Sequence, residues 1–240
     1  MAQVLQNERI ATAVLSWVAG YVDTAGFLKL NGLFTAHVTG NLVVAGAQLA
    51  GAGGRAVWVR LAVIPVFIAA VVMTTIIART RHPRLSNLMW FEAVTLLLFT
   101  GVGVAVVPNA HQEVDTLAMF VAGAAGVFAM GVRNALMREL LGTLVPTTVM
   151  TGNLTQLTID CVRLMLIRDY DKTGNSNVQH RELRQRAEKF GSALMGFVMG
   201  AAFGAFFMRA IGFWSILLPT GAIALLALDT RRHEVTHSQS

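Results

Sequence analysis

Charge is scarce in this sequence. Asp, Glu, Lys and Arg make up only 13% of its 240 residues, and 55% are apolar, whereas soluble domains carry about a quarter charged residues. That balance excludes an ordinary soluble domain and points to a membrane protein, with the lipid bilayer as its main partner. Cysteine occurs once, as Cys161, which excludes an intramolecular disulfide and a multi-cysteine metal site. Cys161 reads as a small buried apolar residue. A Walker-type phosphate loop, a His-Glu-x-x-His pair and a Gly-x-Ser-x-Gly elbow are all missing. The chain is therefore not expected to be an enzyme or to hydrolyse ATP, and nothing calls for a cofactor or metal. A net charge of +6 would suit nucleic acid. The cations gather at the ends of apolar segments, however, where the positive-inside bias and anionic lipid account for them, so no nucleic-acid partner is expected.

What the sequence has in abundance is apolar segments of membrane length. A bilayer core about 30 Å thick takes about 20 apolar residues per helix. Such segments fall at 10–28, 33–52, 56–78, 86–107, 116–137, 144–167, 187–209 and 211–228. The first is read as a retained membrane segment and not a cleaved signal, because Arg9, the one basic residue before it, stands beside Glu8. Segments 56–78 and 86–107 span the membrane, with a kink expected at Pro65 and with Glu92 expected to pair with the basic cluster of Arg79, Arg81 and Arg84. Segments 10–28 and 33–52 are interrupted by Asp23, Lys29, Asn31, His37 and Asn41 and by glycines at 20, 26, 32 and 40. They are predicted to be broken or re-entrant, with the break beginning in the first segment.

Charge placement sets the expected topology. Arg79, Arg81 and Arg84 put the turn after the third segment inside, and the acidic turn at 108–115 lies outside. The polar loop 168–187 and the tail with Arg231 and Arg232 are cytoplasmic, the stretch 178–189 reading as a solvated helical extension. Six spans result, with both termini cytoplasmic, although Arg55, Arg60 and Arg209 then sit at outer ends. Each half makes an odd number of crossings, so the halves run in opposite directions. Residues 1–240 form one integral membrane domain with internal repeats at 10–107 and 116–228.

The repeat is visible in the residues. Thr39-Gly40-Asn41 returns as Thr151-Gly152-Asn153, 112 positions later. Gly20-Tyr21-Val22-Asp23 aligns with Gly131-Val132-Arg133-Asn134 at an offset of 111, and Gln48 faces Asp160 at 112. The stretches GYVDTAGFLKLNGLFTAHVTGN and GVRNALMRELLGTLVPTTVMTGNLT resemble the YoaK-type family of bacterial inner-membrane proteins, a family named as a domain of unknown function. The resemblance covers about residues 10–228. It implies a six-helix bacterial membrane protein without an established substrate. In that family the second motif usually reads Gly-x-Gln-Asn, so Arg133 is a departure that adds charge.

The fold class expected is thus an all-α polytopic membrane protein of about six spans in two inverted repeats of three, each repeat with a broken or re-entrant first segment. Irregular backbone at membrane depth belongs in a protein interior or beside an aqueous cavity, and inverted-repeat transporters bind solute and coupling ion at such breaks. The expected site lies between the two breaks, where Asp23, His37, Thr39, Asn41, Arg133, Asn134, Thr151, Asn153, Gln156 and Asp160 would hold a small solute or ion. Asn153, Gln156, Asp160 and Arg163 share one helix face. Arg133 and Arg163 are the expected partners of the two aspartates, and His37 is a candidate proton carrier. Thr-Gly-Asn equally suits a helix cap or kink. Gly196, Gly200 and Gly204 have the small-xxx-small spacing of close helix packing, within one chain or in a homodimer. A secondary transporter or permease is the leading reading; a channel and a non-transporting scaffold are the alternatives.

Overall fold

In lipid, long apolar runs must satisfy their backbone hydrogen bonds internally, and this chain does so with helices. The computed structural model describes residues 8–51, 54, 56–107, 115–170 and 177–237, and those residues are all-helical. In chain order the helices are α1 (Glu8–Lys29), α2 (Val38–Ala50), α3 (Ala56–Arg81), α4 (Leu85–Val106), α5 (Thr116–Glu139), α6 (Met150–Tyr170), α7 (Asn177–Ile211) and α8 (Leu217–His237). A short 3-10 turn, Gly212–Ile216, joins the last two. Five helical stretches are long and apolar enough to cross a membrane, the last of them, His180–Val235, taking in most of α7 and of α8. Trp58, Ile68, Val72 and Ile76 remain exposed along α3, as expected of a surface that meets lipid.

Side-chain pairs fix the helix directions. Arg9 pairs with Glu188 and Lys189 with Glu8, so α1 and the early part of α7 share one end of the bundle. Arg79 pairs with Glu139, and Ser86 Oγ donates to Glu234 Oε2 at 2.5 Å. The end of α3, the start of α4 and the ends of α5 and α8 are thereby tied together in two pairs. The opposite end carries the 3-10 turn, which receives Tyr21 from α1 and Phe99 from α4.

The tightest crossing is α1 against α7. A Cβ added to Gly196, Gly200 or Gly204 would run into the backbone oxygen of Ala13, Trp17 or Tyr21, and one added to Gly20 would run into Phe197 O. The small-residue stripe is therefore spent inside the chain, and homodimerisation through Gly196, Gly200 and Gly204 is excluded by the α1 backbone that covers them. Gly131 likewise meets α3 at Phe67 and Ala70. The pairing α1 with α7 in this way parallels the pairing α5 with α3.

The expected break in the first segment of each half does not occur. α1 and α5 are continuous helices, and Gly20 and Gly26 serve close packing, against Phe197 O and Thr35 Cγ2. The irregular backbone comes afterwards, at 30–37 and 140–149, each followed by a separate helix, α2 or α6. The polar stretch 168–187 is helical at both ends, since α6 runs to Tyr170 and α7 begins at Asn177. Of the turn at 108–115, only Asp115 lies within the described residues; it caps α5 by accepting from Leu117 N at 3.4 Å. Arg55 also lies outside them.

Candidate functional site

Each irregular segment is held by polar side chains that the apolar sequence around them makes conspicuous. α1 ends with Gly32 N donating to Phe27 O at 2.9 Å and Asn31 at φ 50°, a left-handed residue closing the helix. The chain then doubles back beside α1. Asp23 Oδ1 accepts from Thr35 N at 2.8 Å, Ala36 N at 2.7 Å and His37 N at 3.4 Å, while Oδ2 lies 2.7 Å from His37 Nδ1. Asp23 stands six residues before the end of α1, so the chain returns by about 9 Å along the helix axis. One carboxylate thus satisfies a run of backbone donors that lipid could not.

Asn41 completes the lock. Its Oδ1 accepts from Phe34 N at 3.0 Å, and its Nδ2 donates to Phe34 O at 2.8 Å. From there α2 runs back toward the end it came from. Arg60, only 2% exposed on α3, donates to Gly32 O and Asn31 O at 2.5 Å each and to Gln48 Oε1 at 3.2 Å. This basic residue neutralises carbonyls at a helix C-terminus and is not a free surface charge.

The second half repeats the arrangement with different chemistry. Asn134 Oδ1 accepts from Thr148 Oγ1 at 2.6 Å, and Asn134 Nδ2 donates to Met130 O at 2.9 Å. Asn153 Nδ2 donates to Pro146 O at 2.7 Å. Pro146 stands where Phe34 stands in the first half, and having no N–H it offers only one of the two bonds. Further along α6, Asp160 receives Gln156 Nε2 at 2.9 Å and Arg186 Nε at 2.8 Å, with a second bond from Arg186 Nη2. The first hairpin enters from the bundle end that carries Asn31 and Arg60; the second enters from the end that carries Glu139.

The ten residues expected to share one site are not gathered in one place. Asp23 and His37 touch each other, and Asn134 touches Thr148. Asn41 and Asn153 are consumed by their own loops. Thr39 and Thr151 are exposed. Gln156 and Asp160 form an arginine clamp with Arg186, which, and not Arg133, makes the hydrogen-bonded pair, while the expected Arg163 acts on Asp160 by its charge. Arg133, fully buried, pairs with Glu92 and donates from Nη1 to Leu15 O at 2.8 Å. Glu92 is therefore not the partner of the basic cluster after α3, whose Arg79 goes to Glu139. The hydrogen bonds of Asp23 and Asn41 stay within the first hairpin and α1, and those of Asn134 and Asn153 within the second hairpin and α5. α2 packs on α3 and α6 on α7.

The sequence pattern left out a cavity of about 290 Å³ at the second hairpin, lined by Asn134, Arg138, Pro146, Thr147 and Thr148 among others. Its polar groups are two threonine hydroxyls, a carboxamide and an exposed guanidinium. Thr147 and Thr148 immediately precede the repeated tripeptide by a few residues, and that adjacency was the available signal for them. No group of three or more metal-ligating side chains occurs among the described residues.

The profile of a family described as "Protein of unknown function (DUF1275)" matches residues 11–228. The chain belongs to this family. Among DUF1275 relatives, a UPF0700 transmembrane protein YoaK of Bacillus subtilis (strain 168) is 26% identical over 167 residues, which is 67% of this chain and 70% of that protein. The YoaK-type resemblance of the two motifs thus extends to the chain as a whole, and a multi-pass membrane protein is what the family and the apolar helices describe. No solved structure matches.

Proposed function

We propose that this DUF1275 protein is a secondary transporter or permease for a small polar solute, built as two inverted repeats of three spans in the bacterial inner membrane with both termini cytoplasmic. The carrying observation is the pair of hairpins that enter the bundle from opposite ends, each bringing irregular backbone and polar side chains into an apolar interior. Carriers with inverted repeats place solute and ion sites at such discontinuous elements. Two further features support the reading. Arg79, Arg81, Arg84, Arg184, Arg186, Arg231 and Arg232 collect toward the end that carries Glu8, in keeping with the positive-inside bias. The cavity beside Asn134, Thr147 and Thr148 is at the small end of the ligand-pocket range, which suits a solute of few heavy atoms.

In this reading Asn134 and Thr148 line the solute path, and Asp160 holds α6 to α7 without touching solute. Solid-supported membrane recordings and counterflow on proteoliposomes, across a panel of small organic anions, amino acids and polyols, test it. Saturable flux of one class is expected, reduced about tenfold or more by Asn134→Ala or Thr148→Ala and unaffected in specificity by Asp160→Asn. Folded protein that moves none of the panel, or flux indifferent to both cavity substitutions, would contradict the proposal; flux that never saturates would make the chain a channel.

A further inference from the structure

The two hairpins differ in one respect that their architecture does not require. The first carries an ionisable pair, Asp23 and His37; at the corresponding places the second has Asn134 and Val149. Asn134 meets its hairpin as a neutral amide, through one bond accepted from the Thr148 hydroxyl, while its bond to Met130 O stays within α5. The second hairpin is thus built with no charge at this position. Ionisable residues inside a membrane bundle are costly and mark ion paths or functional sites, so the charged version calls for a reason of its own.

The geometry around His37 supplies one. Asp23 Oδ1 is taken up by three backbone N–H groups, with the Thr35 hydroxyl 3.4 Å away, and Oδ2 faces His37 Nδ1 as its remaining donor. With Nδ1 carrying the hydrogen, the lone pair of a neutral His37 is on Nε2. The side chain of His37 is 32% exposed while that of Asp23 is 6% exposed, so the imidazole is the reachable member of the pair. Its ring stands edge-on to Phe197 at 5.5 Å and to Phe34 at 6.3 Å between centroids.

Asp23 is the one charged group in contact with His37 among the described residues. On α1 the nearest other ionisable residue is Tyr21, whose hydroxyl donates to Ser215 O, and the nearest charged one is Lys29, six positions on from Asp23; α2 has none. On α3, Arg60 is bonded to the carbonyls of Asn31 and Gly32 and to Gln48. α5 meets the hairpin through Gly123 and Gly126, and its Arg133 is paired with Glu92. α7 presents Phe197, with Lys189 and Arg209 the nearest charges along it, eight and twelve residues away. The Asp23 carboxylate, 2.7 Å from Nδ1, is therefore the one charged partner that a proton gained on the far side of the ring would meet.

Resting on the transporter reading, we infer that Asp23 and His37 form a proton-binding site in the first hairpin, with Nε2 of His37 as the acceptor, and that the proton is the coupling ion for solute movement. The site binds H⁺ on a neutral imidazole and yields an imidazolium–carboxylate pair, with no other reactant.

The test separates the site from the coupling. Full-length protein with ¹⁵N-labelled histidine is reconstituted in nanodiscs and titrated by NMR, the His37 signal being the one absent from His37→Gln. The expected result is a single imidazole that gains a proton at Nε2 as pH falls, and whose proton affinity drops about tenfold or more in Asp23→Asn. Asp23→Asn keeps an Oδ1 acceptor for the hairpin's backbone N–H groups, so the fold is expected to be retained; an unchanged thermal midpoint checks this. A His37 that holds one protonation state throughout, or a titration that Asp23→Asn leaves in place, overturns the site whether or not the chain transports anything. Solute flux with no change in pyranine-reported lumenal pH, or equal proton movement in His37→Gln, overturns the coupling while leaving transport standing.

Discussion

Arg133→Ala is expected to destabilise the protein by about 3–5 kcal/mol, the range for removing one member of a buried ion pair. Arg133 and Glu92 are 0% and 1% exposed, on adjacent helices α5 and α4, and Arg133 also reaches Leu15 O on α1. Without the guanidinium, the Glu92 carboxylate is left unpaired among apolar side chains and a helix carbonyl loses an accepted bond. The penalty comes from the orphaned charge and not from the strength of the pair, so the double replacement Glu92→Gln with Arg133→Met should recover most of the loss. Unfolding in mixed detergent micelles measures both. A single variant within about 1 kcal/mol of the parent, or a double variant no better than the single, would remove the pair from the account of stability.

Asn41→Ala carries the second largest effect, about 2–4 kcal/mol, because it strands both the N–H and the C=O of Phe34, which are part-buried and so stand in the lower part of the range of about 1–3 kcal/mol each. The sister substitution gives an internal control. Asn153→Ala strands only Pro146 O, since proline has no N–H to lose, and should cost about half as much. Thermal midpoints of the two variants in one detergent decide the order. Equal losses, or a larger loss at Asn153, would mean that the tripeptide asparagines act in some way other than by holding their loops.

Much of the architecture was legible because lipid imposes it. A segment that must span has to be about 20 residues long and apolar, and cationic residues must collect on one side, so segment lengths and the arginine pattern carried the helices into view. The repeated Thr-Gly-Asn also located both hairpins. What the glycines meant was less legible. Gly20 and Gly26 read as points of breakage, yet each lets another chain segment approach an intact helix; in a membrane, absence of a side chain serves contact as readily as it serves bending. The spacing of Gly196, Gly200 and Gly204 announced a close neighbour without saying that it was α1 of the same chain.

Ionic partners were the hardest to read. Asp160 goes to Arg186, 26 residues on, and Glu92 to Arg133, 41 residues on. Neither follows from helical periodicity, because both join different helices and depend on how those helices are set side by side. Arg60 looked like an exception to the charge rule until its three donated bonds showed that it closes a helix end. The dispersal of the ten candidate residues has the same origin. Polar residues in apolar sequence were taken together as one site, whereas several of them are spent on the backbone that makes the hairpins.

The central claim is that the two hairpins enter the membrane from opposite sides and line aqueous space. Cys161 is the one cysteine in the sequence, so Cys161→Ala gives a background in which Thr39→Cys and Thr151→Cys, both at exposed positions beside the hairpin tips, report singly. In intact cells and inverted vesicles, a membrane-impermeant maleimide should label Thr39→Cys only from the periplasmic side and Thr151→Cys only from the cytoplasmic side. Labelling of both from the same side, or of neither, would contradict it.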